Sequence, residues 1–335
     1  MQTIRWGIMG LGKIAGRFAE DLKLLPDNQL VAVASRSADN ARQFAQKHNA
    51  DYWFDDFRLL VRCPEIDVVY VAAPHTDHAA LTMLALQNGK HVLCEKPMGI
   101  NAAEVAAMQK LATEKKLFLM EALWTRYMPS FLQMLDWLPQ IGRIREIRAD
   151  FGFAANLPEE HRLMDKNKGG GALLDIGIYP VFLALQLLGK PENIVANATF
   201  NQSGIDTSCQ IVFDYPKQKC KAILSCSILE DTASEVVIMG ENGSIDMAKP
   251  WHNWGEVKLQ VPDKEAIIFT PEKQGIGLWL ETVAVGTAIR SGKIEEPLLP
   301  HAVSLQIAQT LDEIRHLIGL TYPQDEAKHS LTLWV

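Results

Sequence analysis

Ile4-Arg5-Trp6-Gly7-Ile8-Met9-Gly10-Leu11-Gly12-Lys13-Ile14-Ala15 stands near the start of the chain, and its reading decides the fold. Residues 4–9 form a short, mostly apolar run that ends in glycines. From 14 to 25 apolar residues recur at helical spacing (Ile14, Phe18, Leu22, Leu25) until Pro26. The order is strand, tight turn, helix. The same alternation continues outward: 30–34 reads as a strand, 38–48 as a helix, 68–73 as a strand and 77–88 as a helix closed by Gly89. A strand at 91–94, a helix at 102–115 and a strand at 117–120 follow. Strands separated by helices of this length predict βαβ units, hence a parallel sheet with right-handed crossovers and helices on both faces.

After about residue 123 the pattern changes. A helix-like stretch at 171–188 precedes short strand candidates at 194–200, 209–215, 221–229, 236–239, 257–261 and 266–269, with turn signals at Asn242-Gly243 and Pro216-Lys217. Consecutive strands without intervening helices predict a mostly antiparallel sheet, and helices at 278–290 and 302–318 close the chain. At 335 residues the chain exceeds what one hydrophobic core usually supports. The expectation is α/β: a doubly wound domain over 1–122 and a second α/β domain over 123–335, the last helices free to pack back on the first.

Composition narrows the function classes. Lys and Arg (33) against Asp and Glu (40) give a net charge of -7, the wrong sign for general attraction to nucleic acid or an anionic membrane. Cys63, Cys94, Cys209, Cys220 and Cys226 are odd in number and lack CxxC or Cys/His metal spacing, so free thiols and no metal site are expected. The first residues carry no signal-peptide pattern, and no window reaches 18 uninterrupted apolar residues. A cytoplasmic setting is the expectation.

The opening turn also carries chemistry. Gly10 permits the tight turn, Gly12 lets backbone approach a pyrophosphate, and Ala15 allows close helix packing, the GxGxx(G/A) arrangement of a Rossmann dinucleotide site. Helix N–H groups around Lys13 and Ile14 would face the phosphates. An NAD-binding domain normally carries Asp or Glu at the end of its second strand. Here that place reads Ser35-Arg36-Ser37. An arginine and two hydroxyls suit a 2′-phosphate, so NADP is expected ahead of NAD.

Three stretches then identify a family: the opening motif, Gly89-Lys90-His91-Val92-Leu93-Cys94-Glu95-Lys96-Pro97, and Gly169-Gly170-Gly171-Ala172-Leu173-Leu174-Asp175-Ile176-Gly177-Ile178-Tyr179. Together they resemble the glucose–fructose oxidoreductase/inositol dehydrogenase/MocA family (Gfo/Idh/MocA). The stretch 117–126 (LFLMEALWTR) and the tail 319–325 are most similar to the branch holding dimeric dihydrodiol dehydrogenases and NADP-dependent D-xylose dehydrogenases. The resemblance implies a Rossmann domain followed by an α/β domain whose open sheet often forms a dimer interface. It implies Lys96 beside the nicotinamide, with Glu95 at the cofactor, and an Asp-x-x-x-Tyr pair, Asp175 and Tyr179, in the second domain. It further implies cofactor contact from the loop Ala73-Pro74-His75-Thr76-Asp77-His78, in which His75 stands where the family usually has Asn.

Hydride transfer to a nicotinamide leaves the substrate's hydroxyl proton to the protein. Tyr179 is the candidate general acid/base. Since a phenol ionises near 10, a cation must favour its phenolate, and Lys96 is the candidate for that role and for binding the reacting oxygen. Four residues apart on a helix, Asp175 and Tyr179 would share a face, so Asp175 could orient the substrate. Trp124, Arg126, Phe151, Phe153, Trp251 and Trp254 lie in segments expected to face the cleft. Trp124 and Phe153 are candidates for substrate contact, Trp124 and Arg126 for the cofactor. Aromatic rings stack on pyranoses and on aromatic diols alike. C1 of a D-xylose-like aldose is the first expectation, because sugar and polyol substrates dominate the family. A trans-dihydrodiol or a keto-sugar is the alternative, and a non-catalytic dinucleotide- or sugar-sensing regulator is the rival of another class. Alternating Ile211 and Phe213, with Ile223 and Leu224, suggest a homodimer through the second sheet.

Overall fold

The computed structural model describes residues 2–155, 157–158 and 161–326. The chain forms two compact units, one of Met1–Trp124 with Gln274–Ala308 and Gln324–Val335, the other of Thr125–Lys273 with Gln309–Pro323. Gln274–Ala308, which follows the second sheet in sequence, groups with the N-terminal residues.

The first unit begins with β1 (Ile4–Met9), α1 (Lys13–Leu22), β2 (Asn28–Ala34), α2 (Ala38–His48), β3 (Tyr52–Phe54), α3 (Phe57–Arg62) and β4 (Val68–Val71). It continues with α4 (His78–Gln87), β5 (His91–Glu95), α5 (Ala102–Lys115) and β6 (Leu119–Ala122). Its sheet has the order β3-β2-β1-β4-β5-β6, and every pairing is parallel. The order reverses between β1 and β4, which opens a crevice at their carboxyl ends, where ligands bind in doubly wound sheets. Four consecutive buried residues in β4 show why the strands read as unbroken apolar runs: helices cover both faces. Sequence reading missed β3 and α3, a three-residue edge strand and a six-residue helix too short to show a period.

The second unit holds α6 (Pro129–Ile141), β7 (Ile144–Gly152), α7 (Ile178–Leu188), β8 (Asn193–Phe200), β9 (Asp206–Tyr215) and β10 (Cys220–Ser227). Then come β11 (Val236–Gly240), β12 (Ser244–Met247), β13 (Val257–Gln260) and β14 (Ile267–Phe269). Eight strands form one sheet, β14-β13-β12-β11-β7-β10-β9-β8, antiparallel except where β7 and β10 run parallel. The predicted antiparallel sheet is present. α6, β7 and β12 were not anticipated; β7 sits at the centre of the sheet, yet Arg145, Glu146 and Arg148 interrupt its apolar pattern.

One face of this sheet is core and the other is not. Ile211, Phe213 and Leu224 are buried, whereas Ile223 is exposed together with Val195 and Ile268, which share its face. Three of the four residues first read as a dimer surface thus point into the core, because the pleat sends successive side chains to opposite faces. The run Lys166–Leu188 is long and apolar enough to cross a bilayer, but 83% of its apolar window is buried within the protein. It is core.

α8 (Leu278–Arg290) and α9 (His301–Ile318) close the chain. The start of α8 is held by Asp21 of α1, whose carboxylate accepts from the backbone N–H of Ile276 (3.0 Å), Gly277 (2.9 Å), Leu278 (2.8 Å) and Trp279 (3.3 Å). An acid at the positive end of a helix dipole is doubly favoured there.

Candidate active site

In the first unit the candidate residues gather at the carboxyl ends of the strands. Gly10 has φ +87°, and a Cβ there would lie 2.7 Å from the carbonyl oxygen of Ala72. Only glycine fits. A Cβ on Gly12 would meet nothing within 4 Å, so the turn opens onto free space at the start of α1. α2, α3 and α5 are capped by Ser37, Asp56 and Asn101, but α1 has neither a capping side chain nor an acid in its first turn. Its N–H groups beside Lys13 and Ile14 are suited to an anion, and Ala15, fully buried, permits the close packing the motif requires. These residues fit a dinucleotide pyrophosphate.

After β2, the Ser35 hydroxyl accepts from Ser37 N (3.3 Å) and from the Asn40 side chain (3.4 Å). Arg36 is 70% exposed and lies 3.8 Å from the Asp77 carboxylate, reaching past the end of β1. Burial raises the Asp77 carboxyl above its ordinary value while Arg36 pulls it down. After β4, Ala73 and Pro74 lead to His75, which is buried, and to His78, whose ring is fully buried between two carbonyls. His78 Nδ1 lies 2.8 Å from the Pro97 oxygen and Nε2 2.9 Å from that of Ala73. It braces the two backbone segments against each other.

After β5, one Glu95 oxygen takes a short hydrogen bond from the Tyr70 hydroxyl and the other accepts from Lys96 N at 3.1 Å. Two residues beyond Lys96, Met98 N donates to Glu121 at 2.8 Å. Glu121 is wholly buried, and desolvation pushes its carboxyl up to about 7 against the pull of Ser304, Met98 N and the Lys96 charge. The Lys96 segment is therefore held by Glu95, His78 and Glu121. Trp124 ends the unit, half-buried in the 3-10 turn Trp124–Tyr127.

The second unit supplies the other half of the candidate set. Asp175 and Tyr179 do not share one regular α-helix: Asp175 sits in a π-helical turn, Leu173–Gly177, and Tyr179 in the first turn of α7. The wider turn changes the expected four-residue register, and such turns recur at functional sites. Asp175 pairs with Arg162 at 3.2 Å. The Tyr179 ring lies 5.6 Å from Phe151 and 5.3 Å from His252, and His252 stacks on Phe151 at 4.2 Å. Phe153 extends this cluster, 6.4 Å from Phe151. Arg126 lies over the Phe131 ring at 5.8 Å, and Trp251 donates to the Asp150 carbonyl at 2.8 Å. Arg162 and His252 were missed from sequence, although His252 stands directly beside Trp251.

A crevice at a sheet switch point, an uncapped helix start behind a glycine turn, and a buried acid–tyrosine segment define a dinucleotide-dependent oxidoreductase. Residues 4–123 match the oxidoreductase family with an NAD-binding Rossmann fold (GFO_IDH_MocA), and 139–246 match the GFO/IDH/MocA C-terminal domain. The chain belongs to the Gfo/Idh/MocA family, and it is an NAD(P)-dependent oxidoreductase of that type. It is 36% identical to the trans-1,2-dihydrobenzene-1,2-diol dehydrogenase of Homo sapiens over 97% of this chain and 99% of that one. The Danio rerio enzyme of the same name is 35% identical, covering 96% and 99%. Among solved structures, the 3-ketoreductase KijD10 of Actinomadura kijaniata, in complex with NADP and TDP-benzene, superposes with a TM-score of 0.86. It is 27% identical, over 95% of this chain and 98% of that one. An aldose-aldose oxidoreductase from Caulobacter crescentus shares the fold (TM-score 0.85, 22% identity, 94% and 97% covered).

Proposed function

We propose that the protein is an NADP-dependent dehydrogenase that oxidises one hydroxyl-bearing carbon of a small ring diol, with Tyr179 as the proton carrier. The observation that carries this reading is the second-unit cluster: a phenol set among Phe151 and His252, on a segment whose Asp175 carboxylate is paired with Arg162. Aromatic walls suit the flat face of a ring, and a carboxylate suits its vicinal hydroxyls. Sequence reading placed C1 of an aldose first; the full-length relatives named as dihydrodiol dehydrogenases move trans-dihydrodiols ahead of it.

The nicotinamide, when bound, takes the hydride. The residues of this chain do the rest. The α1 N-terminus and Lys13 hold the pyrophosphate; Ser35, Arg36 and Ser37 hold the 2′-phosphate; Ala73, Pro74, His75 and His78 shape the loop beside the cofactor, with Glu95, Trp124 and Arg126 completing its contacts. Lys96 supplies the cation that favours the reacting oxygen's anion, Tyr179 accepts the hydroxyl proton, and Asp175 orients the substrate with Trp124 and Phe153. A homodimer through the outer face of the second sheet, where Val195 is 61% exposed, and a cytoplasmic setting, which five buried free thiols suit, complete the proposal.

Absorbance at the nicotinamide band, with NADP and NAD against trans-dihydrodiols, aldoses and inositols, identifies the substrate. On that substrate Tyr179→Phe is expected to lower kcat by about 10²–10⁴-fold, the usual share of general acid–base catalysis, with unchanged NADP affinity. Near wild-type kcat would remove Tyr179 from the mechanism.

A further inference from the structure

The three glycines that precede the Asp175–Tyr179 segment leave room for something specific. A Cβ on Gly171, whose φ is +120°, would lie 2.1 Å from Oδ1 of Asp206 and 3.2 Å from the hydroxyl of Tyr322. Asp206 begins β9, far off in sequence and wholly buried. Its Oδ2 accepts from the backbone N–H of Leu173 at 2.6 Å, and the nearby amides of Ala172 and of Asp206 itself favour its charged form. Tyr322 donates to the carbonyl of Gly170 at 2.6 Å. Two buried polar groups thus hold the backbone leading into the π turn, Tyr322 at the Gly170 carbonyl and Asp206 at the Leu173 amide, the latter two residues before Asp175 and six before Tyr179.

We propose that Asp206 is a positioning residue for the proton-transfer segment: its carboxylate, acting through the Leu173 amide, sets the register of the π turn that aims Asp175 and Tyr179. The role of the aimed residues rests on the function proposed above. Asp206 itself touches neither substrate nor cofactor in that reading.

The groups facing Asp206 make its charge adjustable. Burial pushes its carboxyl up to about 7, while the amides and Arg315 of α9 pull it down. Arg315 lies over the Tyr322 ring at 5.3 Å and pairs with Asp312 at 2.5 Å, so its charge is shared. The thiols of Cys209 on β9 and Cys226 on β10 also feel Asp206, and burial raises both, so they stay neutral near pH 7. With a midpoint of about 7, about one-tenth of molecules carry the Asp206 charge at pH 6 and about nine-tenths at pH 8. The hold on the segment strengthens across that interval, since a charged acceptor binds amides more strongly than a neutral one.

The test compares wild type with Asp206→Asn, which keeps the shape and loses the charge. Amide exchange of the peptide over 169–179, kcat and NADP affinity are each measured from pH 6 to pH 8. The expected result is faster exchange in the variant and a kcat about 10-fold lower at pH 8 with unchanged NADP affinity. The wild-type rise in protection and in kcat between pH 6 and 8 should be flattened in the variant. Wild-type exchange and pH profile in Asp206→Asn would overturn the proposal, as would a kcat loss that merely follows lost NADP affinity. If Asp206→Asn does not fold, Tyr322→Phe, which removes the neighbouring donor to Gly170, carries the exchange measurement. It should free 169–179 while leaving the pH dependence set by Asp206 in place, and unchanged exchange would count against the proposal. Should Tyr179→Phe keep full kcat while Asp206→Asn still frees 169–179, the Tyr179 assignment fails and the positioning of the segment stands.

Discussion

Replacing Arg36 with alanine should separate NADP from NAD. The guanidinium is 70% exposed and 3.8 Å from Asp77, too far for a hydrogen bond, so little structure depends on it. The fold should be unaffected. Two losses then act on a 2′-phosphate. One is the charge-assisted hydrogen bonding the arginine would supply, about 1.5–3 kcal/mol, or about 10- to 150-fold in affinity. The other is the uncovering of Asp77, whose carboxylate would face the phosphate as a like charge. NADP kcat/KM should therefore fall at least about 10-fold and NAD kcat/KM by less than about 3-fold. Since Arg36 pulls the raised Asp77 carboxyl down, its loss raises that carboxyl further. The repulsion consequently weakens as pH falls and Asp77 protonates. In the Arg36→Ala background, adding Asp77→Asn should recover part of the NADP loss. The assay is steady-state kinetics with both cofactors, in low and high salt, because exposed charge interactions are screened. Equal losses for NADP and NAD, or no rescue by Asp77→Asn, would refute this account of the 2′-phosphate site.

Three further outcomes are expected. Asp21→Ala strips the acceptor from four amides at the start of α8, so it should cost about 3–5 kcal/mol in denaturant unfolding, with Asp21→Asn recovering part. Glu121, with a folded value of about 7 against 4.5 unfolded, binds its proton more tightly in the native state. Its contribution is thus full below about pH 4.5, is lost as pH rises towards 7, and is worth about 3 kcal/mol at most. Glu121→Gln should narrow the difference in Tm between pH 5 and pH 8 relative to wild type, and an unchanged difference would count against the buried acid. Sedimentation should show a dimer at micromolar concentration, and Val195→Lys with Ile223→Lys should shift it towards monomer while Ile211, on the core face, is left intact.

How much of this was legible from sequence follows the physics of each element. The first sheet was readable because its strands are buried on both faces and its helices are long enough to show a period: α2 and α5 fall at their expected bounds. In the second unit a pattern could be seen only where one face is wet. β8 alternates and was found; β7, central yet carrying Arg145, Glu146 and Arg148, was not. The dimer residues were misassigned for the same reason, since alternation shows that a strand has two faces without telling which is inside. Gly10 and Gly12 belong to one local motif, and Ser35 and Arg36 stand at the end of the second strand, the place that motif points to.

The parts of the site that sequence did not show are those made by distant residues. Nothing around Asp206 marks it as the acceptor for Leu173, 33 positions earlier. Glu121 lies just past the stretch read as a strand, and only the fold turns it towards Met98. Both carboxyls are wholly buried and both are raised to about 7. A sequence chosen for stability alone would favour amides or apolar groups at such places, because an ionised acid pays for desolvation that neither of those incurs. Each of the two holds backbone within two residues of a candidate site residue, Lys96 in one unit and Asp175 in the other. Their shared position and shared cost argue that, on the function proposed, these buried acids would tune the pH response alongside Lys96, Asp175 and Tyr179.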